Sequence, residues 1–143
     1  NENLVSIISD NSLRSELNYN NLNQLISIET YDNQANEFLN EIINTFDDED
    51  NVISNTNQTN NNSFNYQYDS MKNPSSLLFS DLFLKALSIG NNNVTQTTIS
   101  YDPSYIELRE YENNNENFPT IEKIYINGIL NKTKIYTYNT LTN

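Results

Sequence analysis

Short runs of alternating apolar and polar residues recur along most of this 143-residue chain. Between Leu13 and Tyr19 the alternation is that of a strand with one buried face. Comparable runs lie at residues 4–8, 25–31, 52–56, 64–69, 94–101, 105–111, 121–126 and 132–138. Asn127-Gly128, a dipeptide typical of tight hairpins, separates the last two. The sequence therefore predicts a mainly β protein: a single domain over residues 1–143, folded as an antiparallel meander of about 8–10 short strands.

Two stretches depart from this pattern. Residues 75–90 hold the densest apolar run, which begins after Asn73-Pro74 and ends at Gly90, and they predict one helical insertion that packs on the sheet. Residues 35–46 fit both an amphipathic helix and a strand. Asn40, Asn44 and adjacent β-branched residues weaken the helix interpretation, and both remain open.

The amino-acid composition excludes several classes of function. Seven basic and 19 acidic residues give a net charge of −12, which disfavours nucleic acid and anionic lipid as partners. Cysteine, histidine and tryptophan are absent, which excludes disulfides, thiol nucleophiles and histidine bases. The longest apolar run is too short to span a bilayer. About a fifth of the chain is asparagine, and this composition predicts a protein of the cell surface, the outer membrane or the extracellular space.

A short unit recurs along the chain. An aromatic residue ends a strand, Asp or Asn opens a polar turn, and an aliphatic residue begins the next strand, as in residues 19–25 and 46–52. The physics of such a turn requires a left-handed backbone at its fifth position, here Asn23 and Asp50.

This unit resembles the YD repeat of RHS-type proteins, and more closely the YD-repeat-like lipoproteins of Bacteroidota, most of which have no assigned function. The matching stretches are QLISIETYDN, FDDEDNVIS, FNYQYDSMKNP with the apolar run and NNNVT after it, and NFPTIEKIYINGILNKTKIYTY. YD units usually carry glycine where this chain has Asn23 and Asp50. The resemblance implies an envelope-anchored antiparallel sheet with one helical insertion. The cysteine that carries the lipid anchor in such lipoproteins is missing from this chain.

Two groups of residues are candidate sites. Asp47, Asp48 and Asp50 lie in one acidic turn and could bind calcium, although the spacing is not that of an EF-hand and a solvated turn is the simpler interpretation. Tyr66, Tyr68, Tyr136 and Tyr138 have the spacing of an aromatic sugar-binding platform, although cross-strand packing also explains them.

Catalysis is not expected. Glu107 and Glu110 fall on opposite faces of one strand and cannot converge on a substrate, and no cofactor is expected. The sequence therefore predicts a non-enzymatic envelope protein, an accessory or scaffold subunit whose partners are other envelope proteins. The alternatives are a glycan-binding module that uses a tyrosine face, and a self-assembling fibre or adhesin subunit that pairs through its edge strands.

Overall fold

A computed structural model of the protein describes residues 5–9, 12–78 and 89–138, with side chains from residue 12 onward. Ten strands form one antiparallel sheet, and each strand pairs with its neighbours in the sequence. They are β1 (Val5–Ser9), β2 (Leu13–Tyr19), β3 (Leu25–Asp32), β4 (Glu37–Phe46), β5 (Val52–Asn57), β6 (Asn62–Lys72), β7 (Asn92–Ile99), β8 (Asp102–Asn113), β9 (Pro119–Ile126) and β10 (Ile129–Ile135). This confirms the predicted mainly β meander.

Three turns at one end of the sheet share one geometry. Between β2 and β3, Asn20 Oδ1 accepts hydrogen bonds from the backbone N–H groups of residues 22 and 24, at 2.9 and 3.0 Å. Asp47 and Asn114 make the same pair of bonds between β4 and β5 and between β8 and β9. The left-handed position is filled in order by Asn23 (φ 61°), Asp50 (φ 66°) and Asn117 (φ 66°). The left-handed backbone predicted at Asn23 and Asp50 is therefore confirmed, and Asn117 adds a third position of the same kind.

Each of these turns leads directly into the core. The two residues that follow the left-handed position are buried in all three turns: Gln24 and Leu25, Asn51 and Val52, Phe118 and Pro119. Within the described residues, Ile99 and Ile124 complete the buried hydrophobic set. The core is therefore small, and asparagine and glutamine side chains occupy part of it.

The ambiguous residues 35–46 form a strand over most of their length. In β4, Ile42 lies opposite Ile28 and Ile43 lies opposite Ser27 of β3. The other edge of β4 pairs with β5. A helix here would leave both neighbouring strands without these backbone partners, so pairing on two sides decides against the helical periodicity.

The predicted helical insertion is only partly within the described residues. Pro74–Leu77 is a 3-10 helix, and Asn73 caps it by accepting a 2.9 Å hydrogen bond from the N–H of Ser75. Residues 79–88, which hold most of the predicted insertion, lie outside the described residues. In the part of the chain that is described, no helix is long and apolar enough to cross a membrane.

The predicted Asn127-Gly128 hairpin is confirmed. Asn127 (φ 51°) and Gly128 (φ 81°) both have the positive φ of a type I′ turn, and Ile126 pairs with Ile129 across them. The Oδ1 atom of Asn127 also accepts a 2.8 Å hydrogen bond from the N–H of Ile106, which fixes the hairpin to β8.

The two faces of the sheet near β8 reverse the usual distribution of polar and apolar side chains. Glu107 and Arg109 are half-buried, whereas Ile106 and Leu108 on the opposite face are exposed. The alternation in this strand was predicted, but its apolar side faces outward. This leaves an apolar sheet surface that the described residues do not cover.

Candidate functional site

A cleft of about 500 Å³ lies between the acidic turn and residues 66–70 of β6. We call it the tyrosine cleft. The described residues that line it are Asp47, Glu49, Asn51, Ile53, Tyr66, Gln67, Tyr68, Asp69, Ser70 and Asn92. None of the described residues that line it is a lysine or an arginine.

Asn51 holds the walls of the tyrosine cleft together. This side chain is 2% exposed, and its Nδ2 donates to Asp47 Oδ2 at 3.0 Å and to Asn92 Oδ1 at 2.9 Å. Its own Oδ1 accepts from the backbone N–H of Asn92 at 3.0 Å. The acidic turn and the start of β7 are thereby fixed to one another, so the cleft has a preformed wall.

Tyr68 is fixed on the floor of the same cleft. Its hydroxyl donates to the carbonyl of Val52 at 2.7 Å, and burial raises its pKa. Gly90 lets the ring approach the backbone, because a Cβ at this position would lie 2.8 Å from a ring carbon of Tyr68. Tyr68 therefore acts as a packed support rather than a free binding group.

Tyr66 differs from Tyr68 in one respect. Its ring is half-buried, and burial raises its pKa, yet its hydroxyl makes no hydrogen bond to the described residues. The side chains of Glu49, Gln67 and Ser70 likewise make none within the described part of the chain. Tyr66 pairs with Thr97 of β7 and Gln67 pairs with Gln96, so these two side chains lie on opposite faces of the sheet.

Tyr136 and Tyr138 lie elsewhere. The Tyr136 hydroxyl donates to Glu122 Oε2, and the Tyr138 hydroxyl donates to the carbonyl of Pro119 at 2.6 Å. Tyr138 also packs against Phe118, with ring centroids 5.7 Å apart. Of the four candidate tyrosines, the structure brings Tyr66 and Tyr68 into one cleft and engages the other two in local contacts.

Glu122 is the most buried charged residue among those described, at 1% exposure. Its Oε2 accepts from Lys134 at 2.8 Å and from Tyr136, and its Oε1 lies 3.3 Å from Arg109. Burial alone would raise the pKa of Glu122. The hydrogen bonds from Lys134 and Tyr136, with the charges of Lys134 and Arg109, outweigh it and lower the pKa. A buried carboxylate satisfied in this way is a structural group.

Sequence reasoning missed Glu122 and Arg109. Both sit in ordinary alternating strands, and only the registers of β8, β9 and β10 bring them together with Lys134. The sequence did contain one indication: in three consecutive strands, charged residues occur on the same side of the alternating pattern.

The carboxylates that suggested catalysis do not meet. Glu107 binds Arg109, and Glu110 accepts a 3.1 Å hydrogen bond from the Tyr125 hydroxyl on the other face. The two side chains lie on opposite faces of β8, as the alternation predicted.

Two of the three calcium candidates, Asp47 and Asp50, already accept hydrogen bonds from other residues. Asp47 oxygens accept hydrogen bonds from residues 49 and 51, and Asp50 Oδ1 accepts a 2.7 Å bond from Gln24 Nε2. Within the described residues no three acidic side chains are grouped to hold a metal ion. Calcium binding by Asp47, Asp48 and Asp50 stays a prediction.

Exposed apolar side chains, with Glu110 and Lys123 among them, lie on the face of the C-terminal strands that carries Leu108. Leu108, Tyr125 and Leu130 stand directly across from one another on β8, β9 and β10, with Ile106 and Ile135 on the same face. Leu130 is 53% exposed and Ile135 is 79% exposed. We call this set the hairpin surface, and β10, at one end of the strand order, borders it.

Comparisons with known proteins add little. No protein-family model matches the chain, and no curated protein matches it. Among solved structures, it is similar to a porin-like protein from Bacteroides uniformis ATCC 8492, with a TM-score of 0.41 and 11% identity. The match covers 94% of this chain and 77% of that one. A likeness this low carries no conclusion about function.

Proposed function

We propose that this protein is a non-enzymatic accessory or scaffold subunit of the cell envelope, and that it binds another envelope protein through β10 and the hairpin surface. The observation that carries the proposal is the combination of an edge strand with exposed apolar side chains. Edge strands offer unpaired N–H and C=O groups to a partner strand, and exposed apolar patches are typical of interaction sites.

Composition supports the location. A net charge of −12 and a high asparagine content favour a hydrated outer surface and disfavour nucleic acid as a partner. The three left-handed Asx turns support a relationship to YD-repeat-like envelope proteins.

The geometry of β10 identifies the positions that test strand pairing. The N–H of Tyr136 donates to the carbonyl of Thr120 on β9 at 2.9 Å. Since alternate residues of an antiparallel strand point their N–H groups to the same side, Lys134 faces β9 and Thr133 points its N–H to the open edge. Thr133→Pro removes that outward donor, whereas Thr133→Val keeps it.

The experiment compares photo-crosslinking of the two variants. A benzophenone side chain at the exposed position 130 of the full chain is irradiated in envelopes of the cells that make it. We expect one discrete crosslinked protein with Thr133→Val and its loss with Thr133→Pro. Crosslinks that are unchanged by Thr133→Pro, or only a diffuse smear, would contradict the proposal.

Glycan binding, the alternative that the tyrosines suggested, would use the tyrosine cleft on another part of the molecule. It is therefore a separate proposal and does not depend on β10.

A further inference from the structure

Asn127 is the one asparagine of this chain that precedes a glycine, and both residues are exposed at the tip of the hairpin between β9 and β10. Deamidation begins when the backbone nitrogen of the next residue attacks the asparagine carboxamide, and glycine has no side chain to hinder this attack. Among the described residues, none beyond its chain neighbours lies within 4 Å of a Cβ added at Gly128, so the space around this glycine is open. The other described asparagines with positive φ precede larger residues: Asn23, Asn36, Asn61 and Asn117.

The fold holds Asn127 in a conformation that cannot react. Its φ of 51° places it in the left-handed region. In that region the Cβ lies nearly opposite the next backbone nitrogen across the Cα–C bond. Deamidation requires a five-membered ring to close between the Gly128 nitrogen and Asn127 Cγ, so the backbone must first rotate out of this conformation.

Two hydrogen bonds to β8 oppose that rotation. The N–H of Asn127 donates to the carbonyl of Ile106 at 2.9 Å, and Asn127 Oδ1 accepts from the N–H of Ile106 at 2.8 Å. The carboxamide that must react is therefore held against β8. Deamidation then depends on local opening of the hairpin, and its rate follows the fraction of hairpins that are open.

We propose that Asn127 is a site of spontaneous deamidation, and that its two hydrogen bonds with Ile106 limit the rate in the folded chain. The Gly128 nitrogen loses its proton and attacks Cγ of Asn127, and the carboxamide nitrogen leaves as ammonia. Water then opens the resulting succinimide at either carbonyl, which gives aspartate or isoaspartate at position 127. This chemistry belongs to the chain itself and does not depend on a partner at β10.

The two products differ in their effect on the hairpin. Aspartate keeps an oxygen at the position of Asn127 Oδ1, so it still accepts the hydrogen bond from the N–H of Ile106. Isoaspartate carries the main chain through the side-chain carbon and adds a methylene group to the backbone. A two-residue type I′ turn does not accommodate the longer backbone, so the isoaspartate form alone should loosen the hairpin.

Incubation of the purified full chain in mildly alkaline buffer, followed by tryptic digestion and mass spectrometry, measures the reaction. The peptide that ends at Lys132 and begins after Lys123 contains both Asn127 and Asn131, so Asn131 is an internal control. In urea, we expect Asn127 to deamidate faster than Asn131, which precedes a lysine. Without urea, Asn127 should react at least about five-fold more slowly than in urea, which is the protection that one hydrogen bond supplies.

Ile106→Pro and Ile106→Val form a matched pair of variants. Proline removes the N–H that Asn127 Oδ1 accepts, whereas valine retains it. Ile106→Pro should raise the rate in the folded chain about five-fold, and Ile106→Val should leave it unchanged. Melting temperatures show whether each variant folds. If Ile106→Pro unfolds, the rates of the unmodified chain with and without urea decide the outcome.

Asn127→Asp is the control for the products. Ion-exchange chromatography separates deamidated chains from unmodified ones, and an isoaspartyl methyltransferase labels those that carry isoaspartate. We expect the isoaspartate fraction to melt at a lower temperature than Asn127→Asp, and Asn127→Asp to melt close to the unmodified chain. Three results would overturn the proposal: equal rates at Asn127 with and without urea, a rate at Asn127 no higher than at Asn131 in urea, and a folded Ile106→Pro variant whose rate is unchanged.

Discussion

At the scale of single residues, the most consequential group is the buried carboxylate of Glu122. Glu122→Gln keeps the shape of the side chain but removes the charge that faces Lys134 and Arg109. We expect the free energy of unfolding at pH 7 to fall by about 1–3 kcal/mol, because the partners of a buried charged group lose their counter-charge. Urea denaturation measures this. Glu112→Gln is the matched control, because Glu112 is exposed and, among the described residues, forms its ion pair with the surface group of Lys123. It should change stability by less than about 1 kcal/mol.

The same carboxylate predicts a pH dependence. Its folded-state pKa lies below the usual 4.5, so ionised Glu122 stabilises the fold above that pH. This contribution is lost as the pH falls through the folded-state pKa. We therefore expect the stability difference between the unmodified chain and Glu122→Gln to be largest at neutral pH and to shrink below pH 4.5. A difference that stays constant down to pH 3 would show that Glu122 is not held ionised.

The roles of some residues could be predicted from the sequence, whereas the roles of others could not. Asn20 and Asp47 could be recognised because an Asx turn is local, and its hydrogen bonds join residues two and four apart. Glu122 could not, because its burial depends on strands that the register brings together. Asn51 could be placed in a turn, but its bond to Asn92 spans 41 residues and no local pattern indicates it.

At the scale of elements, the hairpin between β9 and β10 gives the sharpest prediction. Gly128 has φ of +81°, and nothing lies within 4 Å of a Cβ added there, so backbone strain alone determines the cost of a substitution. Gly128→Val should lower the free energy of unfolding by about 1–2 kcal/mol, measured by thermal or urea denaturation. Gly128→Asn should cost less, because asparagine tolerates this backbone region. Equal stability of the two variants would contradict this account of the turn.

For two strands, the periodicity of the sequence was not enough to predict the structure. Residues 37–46 satisfy a helical spacing and an alternating one, and pairing with β3 and β5 selects the strand. In β8 the alternation was recognisable, but which side is covered was not, because the half-buried side carries Glu107 and Arg109. Local patterns thus indicated nearly every strand, whereas the direction of burial depended on neighbours distant in the sequence.

At the scale of the whole molecule, the sheet is organised in one dimension. Every strand pairs with the strands next to it in sequence, and the buried hydrophobic residues are few within the described part of the chain. In repeat proteins with this organisation, stability is close to a sum of local terms and neighbour terms. Disturbance at one end should therefore reach the other end only weakly.

Native-state hydrogen exchange tests this organisation. We expect opening free energies that are graded along the sheet, with β4 and β5 above β10, because a terminal strand has one neighbour instead of two. Gly128→Val should speed exchange in β9 and β10 and leave the amides of β3 and β4 nearly unchanged, since at least four strands lie between. The prediction is contradicted if Gly128→Val lowers the opening free energy of every amide equally. The sheet would then unfold as one cooperative unit, with the buried groups near Asn51 and Glu122 coupling its two halves.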